Sequence, residues 1–268
     1  MSERVDFSAN APVYDRRHGA ALAPDVARSL ALKAALAQDT RVLDVGAGTG
    51  RVAHALADLG CDVVALDPAL PMLDQLRSKA STRRVRAVVG AGARLPFAEC
   101  VFEAAVIARV LYLAPDWRVV LQEAHDALKP GGYLLHEWGN GSADEEWVRI
   151  REKTRALFQD AGIADPFHPG ARTEVDVDAY LVSLGLAQTD RVLAGPGPHA
   201  SLREFVRRIT SGELSYIWSV PKPVQEQSLP LLQRWCEQTF DLERSFPMPR
   251  QCRYFLQQEN AILLQKYR

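Results

Sequence analysis

The sequence predicts an α/β fold, a doubly wound, mostly parallel sheet with helices on both faces. Three observations predict it. Short apolar runs alternate with amphipathic stretches from Thr40 onward, the rhythm of right-handed strand–helix–strand crossovers. Several runs are apolar almost throughout, as strands covered on both faces are. The first run ends at Val45 and passes directly into a glycine loop and a helix.

Arg41–Val45, Asp62–Leu66, Val85–Val89, Ala104–Leu111 and Tyr133–Trp138 read as strands, rich in Val, Leu or Ile and bounded by Gly, Pro or Asp. Helical patterns lie between them at Arg51–Leu59, Pro71–Ala80 and Asp116–Leu128. In the last, Trp117, Val120, Leu121, Ala124 and Leu128 recur at helical spacing, and Lys129-Pro130-Gly131-Gly132 is the stop. Ahead of the sheet, Pro24–Ala37 reads as a helix with proline in its first turn. Before it, Tyr14 to Arg17 reads as an irregular segment placed to fold over a ligand. After Trp138 the rhythm changes. Asp144–Ala161 and Val175–Leu184 read as helices, and Gln188–Leu193 as a strand running into Gly195-Pro196-Gly197-Pro198. Ser201–Ile209 and Pro223–Phe240 read as helices, and Gln251–Leu256 and Ala261–Lys266 as extended.

The 268 residues are 47% hydrophobic and 24% charged, with a net charge of −1. That composition excludes the disordered, collagenous and disulfide-scaffold classes. At roughly 150 residues per domain the length falls between one domain and two. Near-neutrality argues against a dedicated nucleic-acid binder, and Arg83, Arg84 and Arg86 read as a solvated strand entrance. No apolar run reaches the roughly 18 residues of a membrane span, and residues 1–10 lack the apolar core of a signal peptide. Cys61, Cys100, Cys236 and Cys252 are scattered, with no CxxC pair and no His at metal spacing. They read as reduced thiols of a cytoplasmic protein with no metal site.

The chemistry concentrates in Val42-Leu43-Asp44-Val45-Gly46-Ala47-Gly48-Thr49-Gly50-Arg51. Glycines remove the Cβ atoms that would keep a ligand from the backbone. The helix that follows offers unpaired N–H groups and a positive dipole end. A dinucleotide site wants G-x-G-x-x-G, whereas the third glycine here comes one residue early. Asp67 then closes the second strand at about the distance where an acid meets ribose hydroxyls, and a carboxylate accepts from both hydroxyls of one ribose. The plainer reading of Asp67 is a turn with Pro68 and Pro71.

With these residues the sequence resembles the class I S-adenosylmethionine-dependent methyltransferases, in particular the small-molecule branch related to ubiquinone and menaquinone methyltransferases. The resemblance covers roughly Tyr14 to Trp138 and rests on VLDVGAGTGR, VVALDPALPML, GAGARLPFAECVFEAAV and LKPGG. It implies a seven-stranded, mostly parallel, Rossmann-like sheet with a helical cap, and S-adenosylmethionine as cofactor. It assigns Gly46, Ala47, Gly48 and Gly50 to the methionine moiety, Asp67 to the ribose, and Pro68 and Met72 to the adenine flanks. Ala91, Gly92 and Ala93 line the next loop, where the family commonly has Asp in place of Ala91 to contact the adenine amino group. Tyr14 resembles a tyrosine that closes over the cofactor.

Methyl transfer from a sulfonium is an in-line displacement with a neutral leaving group, so alignment in a dry pocket carries most of the catalysis. No catalytic triad is needed, and none is apparent. Arg109 and Tyr112 follow the fourth strand, and His136, Glu137 and Trp138 close the fifth, at the edge where such sheets bind ligands. Arg109 reads as a partner for the cofactor carboxylate or an acidic substrate, or as a surface ion pair. Tyr112 and His136 are the catalytic candidates, although a histidine within a strand is more often a satisfied core residue than a base. His168 and His199 are placed in solvated loops.

In the domain reading, 1–140 is the arm and cofactor core, 141–249 are helical insertions among late sheet elements, and 250–268 close the sheet, all within one domain. Aromatic residues of the insertion, Trp218 among them, suit an apolar lid over a small-molecule acceptor, with neither nucleic acid nor membrane as partner. No motif fixes the acceptor atom or the oligomeric state. Two other readings stay open: a nicotinamide-dependent oxidoreductase, and a catalytically inactive S-adenosylmethionine-binding module.

Overall fold

The computed structural model describes residues 7–8, 11–18, 27–28, 31, 36–79, 84–138, 144–164, 169–194, 199–247 and 250–257. The first half holds α1 (Ala11–His18), β1 (Arg41–Val45), α2 (Arg51–Asp58), β2 (Asp62–Asp67), α3 (Leu70–Lys79), β3 (Val85–Val89), β4 (Phe102–Ala108), α4 (Trp117–Asp126) and β5 (Leu128–Glu137). The second half adds α5 (Glu145–Asp160), α6 (Glu174–Ser183), β6 (Leu186–Ala194), β7 (His199–Ser201), α7 (Leu202–Thr210) and α8 (Ser215–Trp218). It ends with α9 (Lys222–Thr239), β8 (Ser245–Pro247) and β9 (Arg250–Gln257).

Seven strands form one sheet in the order β3-β2-β1-β4-β5-β9-β6. β1 pairs in parallel with β2 and with β4, β2 with β3, and β4 with β5. β9 runs antiparallel between β5 and β6. Strand order reverses between β1 and β4. Their following loops therefore part to opposite faces and open a crevice at the carboxyl edge.

Side-chain alternation along β1 builds a core on each face. Val42 packs into one cluster with Leu56 of α2 and Leu73 of α3, while Leu43 and Val45 join Leu121 of α4 and Leu181 of α6 in another. Each such buried side chain stabilises the fold by about 1.5–3 kcal/mol. A third cluster lies among α5, α7, α8 and α9, with Ile150, Phe158, Ile209, Ile217, Leu232 and Phe246. Side-chain caps start three helices: Asp144 accepts from Trp147 N, Thr173 from Asp176 N, and Ser201 from Glu204 N. Among the described residues, no helix is long and apolar enough to cross a membrane.

The structure corrects several local expectations. Tyr14 to Arg17 lie in the helix α1 rather than in irregular chain. α4 ends at Asp126, and Lys129–Gly132 bulge out of β5, where pairing to β4 jumps from Phe102↔Leu128 to Ala104↔Tyr133. Gly132 is required in that bulge, because a Cβ there would lie 2.8 Å from the Lys129 carbonyl oxygen. β4 stops at Ala108, since Arg109 turns left-handed at φ 61°. His199 opens β7 instead of lying in a loop. Most of the expected helix Pro24–Ala37, the Gly195–Pro198 breaker, His168 and the extended segment Ala261–Lys266 lie outside the described residues.

Candidate active site

The loop between β1 and α2 is built from three left-handed glycines, Gly46, Gly48 and Gly50, with φ of 73°, 55° and 87°. Gly46 is also fixed by space, since a Cβ would fall 2.3 Å from Val110 Cγ2. Gly46 N and Ala47 N both donate to the Leu66 carbonyl, at 2.8 and 3.0 Å, stitching the loop to the end of β2. At Gly48 a Cβ would meet nothing within 4 Å. The loop is open there.

Asp67 closes β2 at 8% exposure. Its Oδ2 accepts from Gly48 N at 2.9 Å and its Oδ1 from Ala69 N at 2.8 Å. Burial raises its pKa, and the two backbone N–H groups pull it back. One carboxylate thus sets the distance between the glycine loop and the start of α3. The plain turn reading of Asp67 accounts for the Ala69 bond alone.

These loops surround a cavity of about 360 Å³ at the carboxyl edge of the sheet. Its lining includes the predicted Gly46, Gly48, Asp67, Pro68 and Met72. Ala91, Gly92, Ala93, Arg109 and Tyr14 line it as well. Ala47 and Gly50 do not. Ala47 is buried in the core beneath the loop, and Gly50 caps α2 against the His54 ring, where a Cβ would lie at 2.7 Å. Neither catalytic candidate is on the lining. Tyr112 stands edge-on to Trp138, centroids 5.9 Å apart, and burial pushes its phenol well above its ordinary pKa. His136 is 1% exposed within β5, edge-on to the same Trp138.

Sequence reasoning missed other parts of the site. Arg51, first residue of α2, and Arg109 both pair with Glu137 at the end of β5. Arg109 Nε donates to Glu137 Oε1 at 2.9 Å, and its backbone N–H donates to the Glu137 carbonyl at 2.8 Å. The two guanidiniums hold the Glu137 carboxyl below the usual range despite its burial. Phe7, Ser8, Val110 and residues 113–116 also line the cavity. Phe7 touches Tyr14 and, at 5.4 Å, Trp218 of α8, so one ring spans the cavity and the helical cap. No periodic signal marked it, because Phe7 lies outside any amphipathic run.

Helix α1 is tied down through Asp15. The Thr49 hydroxyl of the glycine loop and Lys79 of α3 both donate to its carboxylate. Tyr14 is thereby held over the cavity, and burial raises its pKa against the pull of Arg109 and Arg51.

A mostly parallel sheet with a glycine loop after β1, an acid closing β2 and a cavity at the switch point is a Rossmann-like architecture. Residues 43–136 match the model of the methyltransferase-domain family. An uncharacterized methyltransferase of Mycobacterium bovis is 31% identical over 153 residues, which are 54% of this chain and 61% of that protein. The chain thus spans about six-tenths of the length of this relative. A demethylmenaquinone methyltransferase of Renibacterium salmoninarum is 41% identical over 98 residues, 35% of this chain and 39% of the relative. Among solved structures, the YcgJ protein of Bacillus subtilis aligns with a TM-score of 0.60 at 18% identity, covering 88% of this chain and 100% of that one. At that identity the likeness speaks for the fold.

Proposed function

We propose that this chain binds S-adenosylmethionine in the cavity and transfers a methyl group to a small organic acceptor by in-line displacement. One observation carries the reading: Asp67 is pinned to Gly48 N on the wall of a cavity that opens where Gly48 has no side chain. The residues fit the cofactor. The open glycine takes close backbone approach, and the remaining lone pairs of Asp67 suit a diol. When bound, the cofactor supplies an electrophilic sulfonium methyl.

The chain's own part is alignment and exclusion of water. Phe7, Tyr14, Val110, Leu113 and Val120 give the cavity an apolar surface, and α1 closes one side of it. Acceptors whose lone pair is free at working pH need no base, in keeping with a lining that carries neither His136 nor Tyr112. The same absence favours one second reading, an S-adenosylmethionine-binding module without turnover. Domain organisation follows the same lines: we read residues 1–140 as the cofactor core and 141–249 as insertions capping one sheet.

Calorimetric titration with S-adenosylhomocysteine tests the cofactor. The wild type is expected to bind, and Asp67→Ala to weaken binding by about 100-fold, as loss of charge-assisted bonds does. Unchanged affinity in Asp67→Ala would rule out the site. Binding without product across an acceptor panel would favour the inactive module, and preferential binding of NADH would favour an oxidoreductase.

A further inference from the structure

We propose that Asp116 reads the 6-amino group of the purine and so sets the base specificity of the cavity; this rests on reading the cavity as an S-adenosylmethionine site. Among the described lining residues, the carboxylates are Asp67 and Asp116. They are in different states. Each oxygen of Asp67 already holds a backbone N–H at the ends of β1 and β2. Asp116 directly precedes α4, yet its side chain accepts no capping bond from the helix.

The face of α4 on which Asp116 sits is fixed by Val120, one turn further on, whose N–H donates to the Asp116 carbonyl at 3.1 Å. Residues four apart share a helix face, and both line the cavity. A Cβ at Gly92 would lie 3.1 Å from Val120 Cγ1 and 2.8 Å from Val45 Cγ1. The loop Ala91–Ala93 therefore backs directly onto this part of α4. That loop offers little to a base edge: its side chains are methyls or hydrogen, and the Ala91 carbonyl accepts from Arg94 N at 3.0 Å.

A planar base between this loop and α4 meets apolar surface on its faces and the Asp116 carboxylate at an edge. An ionised carboxylate only accepts hydrogen bonds. It suits the N–H of a 6-amino purine, with the added strength of a charged acceptor. Toward a 6-oxo purine it sets oxygen against oxygen, which is discrimination by repulsion.

The test titrates S-adenosylhomocysteine and S-inosylhomocysteine into wild type, Asp116→Ala and Asp116→Asn. The wild type is expected to favour the adenosyl ligand by about tenfold or more. Asp116→Ala should weaken the adenosyl ligand by about tenfold and remove most of that preference. Asp116→Asn carries an amide that donates to a 6-oxo group, so it should bind the inosyl ligand more tightly than wild type does. A merely structural role for Asp116 would weaken both ligands alike. An adenosyl-to-inosyl ratio unchanged in both variants overturns the proposal. Failure of the wild type to bind either ligand overturns the cofactor reading itself, and the inference with it.

Discussion

Asp44 lies at 1% exposure on β1, two residues before Gly46, and its Oδ2 has no hydrogen-bond partner among the described residues. Burial pushes its carboxyl up to about 7, aided by the charges of Asp67 and Glu137 and opposed by Arg51 and the Ala53 N–H. With the folded pKa above the unfolded one, the native state binds the extra proton between about pH 4 and 7. Stability from this group is full at low pH and falls as pH rises through that window, by at most about 1.4 kcal/mol per pH unit. Asp44→Asn keeps an acceptor for Ala53 N and should flatten the slope. Urea unfolding at pH 5 and 7 measures it, and an identical slope in the variant would contradict the assignment. Legibility at this scale was uneven. Gly46 and Gly48, and Asp67 and Met72, were readable as cavity lining because each pair lies in one short run at the end of a strand. The Arg51–Glu137 pair was not, since 86 residues separate its members and only the sheet order brings them together.

Helix α1 shows why local signals fail for short elements. Eight residues are too few for a helix to hold on propensity in water, and Tyr14 to Arg17 carry no cap or strong amphipathic pattern. Tertiary contacts supply the stability: Asp15 bridges Thr49 and Lys79, and Tyr14 and Phe7 pack on one another. Asp15→Asn keeps an acceptor for the Thr49 hydroxyl and removes the ion pair. The pair is partly exposed, so the loss should be about 1 kcal/mol. Amide hydrogen exchange across residues 11–18 should then quicken severalfold, with the sheet amides unchanged. Equal protection in both proteins would show that the ion pair does not hold the helix. Longer elements were read well. α5, α6, α7 and α9 each fall within one residue of the expected bounds at either end, because a side-chain cap or a proline in the first turn marks where each begins.

Across the whole molecule, the core among α5, α7, α8 and α9 is a cluster apart from the two that clamp the sheet. Phe158, fully buried there, lies far in sequence from every cavity-lining residue. Phe158→Ala should cost about 3–5 kcal/mol in that core. Thermal unfolding should shift down while S-adenosylhomocysteine affinity stays within about twofold. A parallel loss of affinity would mean that the cap shapes the cavity directly. The sequence alone determined the alternation of strands and helices, the glycine loop and the acid that closes β2. Those depend on hydrophobic period and on backbone angles set by neighbours in the chain. Only the tertiary structure decided that β9 inserts antiparallel between β5 and β6, that Glu137 gathers Arg51 and Arg109, and that Phe7 and Asp116 line one cavity. Such contacts join residues far apart in sequence. Their partners are selected by how helices and strands pack, which no local pattern encodes.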